Sequence, residues 1–290
     1  MNRALLGTAA LLMLWASVAT AQAPTYLRSW PTSGDIPLAL ATDGTTRLYQ
    51  VDEVGTVWMY SLTGTSSCSQ TAPIGDEGHG VAYLSDGSIV VAATHLSSPV
   101  VRRGTGCSPI LAWNPAGPAT YLAADVANNV YVTEAASDKV QVFSKNGGPL
   151  RAWSSPHPTG IAYRASVVYV VGQFDGLVHS YFPDGTPVGP FAHGLCCPQQ
   201  LAVDADGKLY VADMSLGQLR CFDADGTVLW TLGPDVQGYP YNPARFVSVT
   251  VSSDGTIFAG DYDHRRIVVL GAGATPILRS SFGALKAHYR

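Results

Sequence analysis

Seven histidines and five cysteines are the side chains of this 290-residue chain best suited to metal or nucleophile chemistry. A zinc centre needs about three ligands converging on one point. His79, His95, His157, His179, His193, His264 and His288 are spread along the sequence without a ligand spacing. Each therefore reads first as a surface or hydrogen-bonded residue. No Gly-x-Ser-x-Gly elbow offers an activated serine, and no Walker-type or dinucleotide glycine loop offers a phosphate cradle. Cys196 and Cys197 are adjacent, which allows a vicinal disulfide, two reduced thiols or two separate partners. With Cys68, Cys107 and Cys221 the count is odd, so at least one thiol stays unpaired unless it bridges to another chain. Whether Cys68 and Cys107 come within the roughly 7 Å that bridging needs is not legible in sequence. The segment from Gln237 to Pro243 concentrates Tyr239 and Tyr241 between prolines, a stacking surface for a sugar or peptide on a loop.

Such residues need a frame, and the frame is a repeat. A Pro or Gly, an apolar strand, a turn, an aliphatic-aromatic strand, an acidic residue and another apolar strand recur in that order. The clearest copy runs from Pro198 through Leu209-Tyr210-Val211-Ala212-Asp213 to Trp230. The central residue of the second strand falls at Tyr49, Val90, Tyr131, Tyr169, Tyr210 and Phe258, at intervals of 41, 41, 38, 41 and 48 residues. Asp43-Gly44, Asp86-Gly87, Asn128-Asn129, Asp206-Gly207 and Asp254-Gly255 supply the residues that tight hairpin turns need. The expected fold is all-β: a six-bladed β-propeller of four-stranded antiparallel blades around a channel. Tyr26 to Trp30 resembles a displaced fourth strand able to close the ring; Ile277 to Gly283 competes for that place, and the N-terminal segment is preferred. The acidic column of Asp52, Glu134, Asp213 and Asp261 reads as turn carboxylates accepting backbone N–H groups, with a ring of cation ligands as the minor alternative. Cys221 aligns with Val142 in the third strand, a core position.

Residues 1–21 open with Met1-Asn2-Arg3, run apolar to Val18 and end in Ala19-Thr20-Ala21, the pattern of a secretory signal peptide cut after Ala21. The expectation is an export segment followed by one propeller domain over 22–290, secreted or periplasmic. Charged residues are 13% of the chain and the net charge is -4, without Lys/Arg runs, so a nucleic-acid footprint is not expected. No later stretch is apolar enough over about 18 residues for a membrane helix, and a monomer is expected.

The segments Val211-Ala212-Asp213 through Phe222, Gly260 through Ile267, and Lys139 through Phe143 resemble the NHL repeat family over essentially residues 26–283. That resemblance implies a six-bladed propeller whose ligand residues lie near the channel mouth, one place after the Pro/Gly of each blade. Here that column is Leu38, His79, Thr120, Thr159, Gln199 and Val247. It extends to the peptide-amidating lyases, whose zinc is held by three histidines in a Pro-His pattern. This chain has only His79 in the column, with His157 displaced, so the lyase zinc site is not expected; no cofactor is expected, with zinc and calcium left open. The leading expectation is a scaffold binding a protein, peptide or glycan, through the column residues His79, Thr120, Thr159 and Gln199 that the resemblance implies and the loop residues Tyr239 and Tyr241. An extracellular propeller hydrolase or lyase with a channel metal is the alternative.

Overall fold

The structure is a computed structural model that describes residues 22–32, 35–71, 78–93, 100–105, 108–192 and 194–271. The export signal expected over 1–21, the competing strand Ile277–Gly283, and His95, Cys107, His193 and His288 lie outside the described residues.

Six four-stranded antiparallel sheets follow one another in sequence. Blade 1 is β2 (Pro37–Thr42), β3 (Arg47–Asp52), β4 (Thr56–Ser61) and β5 (Ser66–Thr71). Blade 2 is β6 (Gly78–Tyr83), β7 (Ile89–Ala93), β8 (Val100–Arg103) and β9 (Pro109–Trp113). Blade 3 is β10 (Leu122–Ala124), β11 (Val130–Glu134), β12 (Lys139–Phe143) and β13 (Pro149–Ser154). Blade 4 is β14 (Pro158–Arg164), β15 (Val167–Gly172), β16 (Val178–Tyr181) and β17 (Pro187–Ala192). Blade 5 is β18 (Pro198–Val203), β19 (Leu209–Asp213), β20 (Gln218–Phe222) and β21 (Val228–Leu232). Blade 6 is β22 (Phe246–Val251), β23 (Ile257–Asp261), β24 (Arg266–Gly271) and, outermost, β1 (Thr25–Pro31). The first strand of each blade touches its counterparts on either side, which closes a ring about an axis. The N-terminal segment completes the last blade, with Trp30 opposite Ile267 and Pro31 opposite Arg266.

Why these residues make blades follows from register. In every second strand the repeat's central residue stands opposite a small one: Tyr49–Ala41, Val90–Ala82, Tyr131–Ala123, Tyr169–Ala162, Tyr210–Ala202 and Phe258–Thr250. Large side chains fill the wide space between blades, and alanines fit where the wedge narrows toward the axis. Cores form between neighbouring blades rather than within them: Phe258 of blade 6 packs with Leu40 and Leu48 of blade 1. Cys221 is fully buried, and burial pushes its thiol pKa up to about 12. It behaves as a small apolar residue in the core.

Candidate functional site

The strands run alternately along the axis and so create two unlike faces. One carries the hairpins between first and second strands; the other carries the first-strand starts and the turns after the second strands. The anticipated binding column lies on the latter. His79 is half-buried, its ring 6.5 Å from that of Tyr121. Thr120 is half-buried near the start of blade 3, and Gln199 is half-buried at the start of β18. Thr159 is buried at 3% exposure; its hydroxyl donates to Pro198 O (2.9 Å) and its carbonyl accepts from Thr133 Oγ1 (2.8 Å). This hydroxyl ties blade 4 to blade 5. None of the four borders the central recess.

The acidic column stands at the same face, fully buried in all four blades that carry it. Asp52 accepts from Thr56 N (2.7 Å), Val54 N (3.2 Å) and Trp58 Nε1 (2.8 Å), and burial outweighs these bonds to raise its pKa. Asp213 accepts from Cys196 N at 3.0 and 3.1 Å, anchoring the link that enters blade 5; burial raises its pKa also. Glu134 is fully buried. The Ala116 and Gly117 amides face its carboxylate without reaching hydrogen-bonding geometry, and burial raises its pKa. Cys196 is exposed and Cys197 partly so, both as free thiols, and Cys197 has φ +53°.

Asp261 organises the blade 6 cluster. It is fully buried and accepts from Tyr239 Oη (2.7 Å), from Asp263 N (3.2 Å) and from Arg245 N (3.3 Å). His264 Nδ1 stands 2.8 Å from the same Oδ2, with the side chain 30% exposed. Tyr239 is thus an internal strut at 4% exposure rather than a free stacking face. Tyr241 is 41% exposed; its ring is 5.9 Å from that of His264, and the Arg266 guanidinium lies 4.4 Å over it. A carboxylate that holds one imidazole nitrogen leaves the other for a proton or a ligand. Among the described residues no three His, Cys, Asp or Glu side chains converge as a metal site. No helix among the described residues is long and apolar enough to cross a membrane.

Two side chains block the axis. In each inner strand one position faces its equivalents: Ala39, Gly80, Tyr121, Gly160, Gln200 and Ser248. Four are small. Gln200, from blade 5, donates through Nε2 to Leu40 O (2.8 Å) and accepts at Oε1 from Leu40 N and Val249 N (both 3.1 Å). Tyr121, from blade 3, donates to Leu38 O at 3.4 Å. Glycine is required beside both plugs: a Cβ on Gly160 would lie 2.7 Å from Gln200 Cα, and one on Gly80 3.0 Å from Tyr121 Cα. What remains is a recess of about 230 Å³ above Gln200, ringed by Ala41, Ala82, Ala123, Ala162, Ala202 and Thr250. The strand ends Thr42, Tyr83, Ala124, Tyr163, Val203 and Val251 also line it, on the side of the first hairpins. Sequence reasoning looked to the other face. The alternation of small and large residues at the axial position was the signal available for the plug.

No family model matches the chain, and no curated protein matches it. Solved structures share the fold. A catalytically inactive histidine-to-alanine variant of virginiamycin B lyase from Staphylococcus aureus, bound to quinupristin, superposes with a TM-score of 0.61 at 12% identity, over 84% of this chain and 98% of that one. A structural genomics protein of unknown function from Bacteroides thetaiotaomicron superposes with a TM-score of 0.65 at 14% identity, over 86% of this chain and 73% of that one.

Proposed function

We propose that the chain is an exported, monomeric propeller of NHL-type blades that serves as a rigid scaffold for a protein, peptide or glycan ligand. The observation that supports this reading is the blind axial recess. A concave depression whose exposed lining is more polar than apolar, on a frame of mutually buried sheets, offers a preformed place for a ligand with hydrogen-bonding groups. Nothing can thread through the ring past Gln200 and Tyr121. The 1–21 segment supports export, and N-terminal sequencing of the exported protein should begin at Gln22. Purified protein probed on glycan and peptide arrays is expected to give saturable binding by one class. Silence on every array, together with turnover of an ester, lactone or peptide substrate, would replace the scaffold with an enzyme.

A second reading, a lyase or hydrolase, draws support from the buried Asp261 oriented on a partly exposed His264. The likeness in fold to a lyase points the same way. It carries a direct test: any turnover found should fall at least 100-fold in His264→Ala. Unchanged turnover in that variant removes this site. Elemental analysis after mild dialysis tests the expectation of no cofactor against bound zinc or calcium.

A further inference from the structure

We infer that the face bearing the first hairpins holds a carbohydrate-binding groove, walled by Tyr83 and Tyr163 and running from the axial recess out over blade 3. This rests on the scaffold reading above and names its ligand and its place. Three observations converge.

The walls come first. Ala124 of β10 stands level with Tyr83 of β6 and Tyr163 of β14 but carries only a methyl group, so the floor over blade 3 is low between two tyrosines. Both tyrosines border the axial recess and also a second depression of about 480 Å³, so the two spaces lie side by side across Tyr83, Ala124 and Tyr163. Each wall is backed. Tyr83 stacks on Tyr49 at 6.0 Å and 18°, and Tyr163 on Tyr131 at 5.8 Å and 20°. Tyr131 is itself held by a 3.2 Å bond to Asp125. A ligand meeting these rings has little side-chain motion to freeze, which favours binding.

The border of the groove carries one charge of each sign, Asp125 and Arg164. Asp125 accepts from Ala127 N (2.9 Å), Asn129 N (2.8 Å), Asn129 Nδ2 (2.7 Å) and Tyr131. Arg164 donates to Ala205 O at 2.9 Å, and Ser85 donates to Asn128 at 3.0 Å. The free chemistry is therefore two aromatic faces, the ends of their phenols, and the backbone groups along the edge strands that face the axis. This suits an uncharged ring with apolar C–H faces and hydroxyls around its rim, which is a neutral sugar. With one carboxylate and one guanidinium on its border, the groove offers no net attraction to a ligand of either sign.

The closed end decides between a chain terminus and a running chain. Gln200 spends both polar ends on Leu40 and Val249 and blocks passage. A terminal pyranose fits a blind recess end-on. An extended proline-rich peptide, the other common guest of aromatic grooves, needs an open trough at both ends.

The test is saturation-transfer NMR on the intact mature protein with the methyl glycosides of glucose, galactose, mannose and N-acetylglucosamine, and with a proline-rich decapeptide. Saturation is expected on the ring protons of at least one glycoside. Affinity should fall tenfold or more in Tyr83→Ala and in Tyr163→Ala, and less than threefold in the corresponding Phe variants. Val54→Ala, in the turn after β3 on the opposite face, should change nothing. Circular dichroism melting of each variant identifies any loss that comes from unfolding, and the Phe variants keep the test informative if an Ala variant unfolds. Transfer only to the peptide, or to no probe, overturns the groove. Sugar binding insensitive to both tyrosines also overturns it, but leaves the scaffold reading intact.

Discussion

The side chains best placed for chemistry are mostly occupied in holding backbone. Tyr239 shows this: its hydroxyl shares Asp261 Oδ2 with His264, and burial drives the phenol pKa well upward. Tyr239→Phe should cost about 1–2 kcal/mol in chemical denaturation, because a buried carboxylate loses a donor. It should also leave His264 the sole side-chain partner of that oxygen among the described residues. Asp86 gives a pH dependence with a defined sign. Ser88, then Lys145 and Arg102, hold its carboxyl down to about 2 from 3.8. Its contribution is therefore complete above 3.8 and is lost as the pH falls toward 2. The group is solvent-exposed, so about 1 kcal/mol is expected after screening. Asp86→Asn should converge with wild type in stability as the pH falls through that window. A gap that widens instead would contradict the assignment.

At the scale of the element, the repeated join is an outer-strand aromatic on the next blade's turn glycine. Trp30 meets Gly64, Trp113 meets Gly147 and Trp153 meets Gly185. Gly147 has φ +78°, and a Cβ there would lie 2.8 Å from Trp113. Gly147→Ala should therefore lower stability by about 2 kcal/mol or more through strain and displaced packing. Gly233→Ala, where nothing lies within 4 Å and φ is not positive, is expected to be nearly neutral. These elements were legible because their causes are local. Period, turn residues and the Tyr–Ala register all leave marks a few positions apart, and Cys221 in line with Val142 was placed correctly for that reason. The sites were less legible. That Tyr239 turns inward depends on Asp261, over twenty positions away. Tyr83, Ala124 and Tyr163 share one repeat position, but nothing in that spacing says that the position rims a groove.

The whole ring is sewn at its narrow end by polar side chains. Thr133 reaches Thr159, Thr159 reaches Pro198, Gln200 reaches Val249 and Leu40, and Ser248 Oγ reaches Pro37 O at 2.6 Å. Blades 3, 4, 5, 6 and 1 are thereby linked in turn through buried bonds. Thr159→Val should cost about 1–2 kcal/mol, since it leaves Pro198 O without its donor. The loss should appear as a single lowered transition, because each blade's core is its neighbour's too. A separate early melt of blades 4 and 5 would show that the ring is less coupled than its hydrogen bonds imply.

Pro31 finds Arg266 only at the opposite end of the chain. A molecule stitched this way has no finished half. Five blades emerging from a ribosome or a translocation pore have nothing to close against, and the exposed flank of the first must wait for the sixth. Bringing the ends together costs roughly 5 kcal/mol of chain entropy for a loop of this length. The seven residues of β1 therefore act late in time although they come first in sequence. A circular permutant that carries residues 22–32 directly after 271, opened at a link between blades, should assemble faster than the natural order while reaching the same ring.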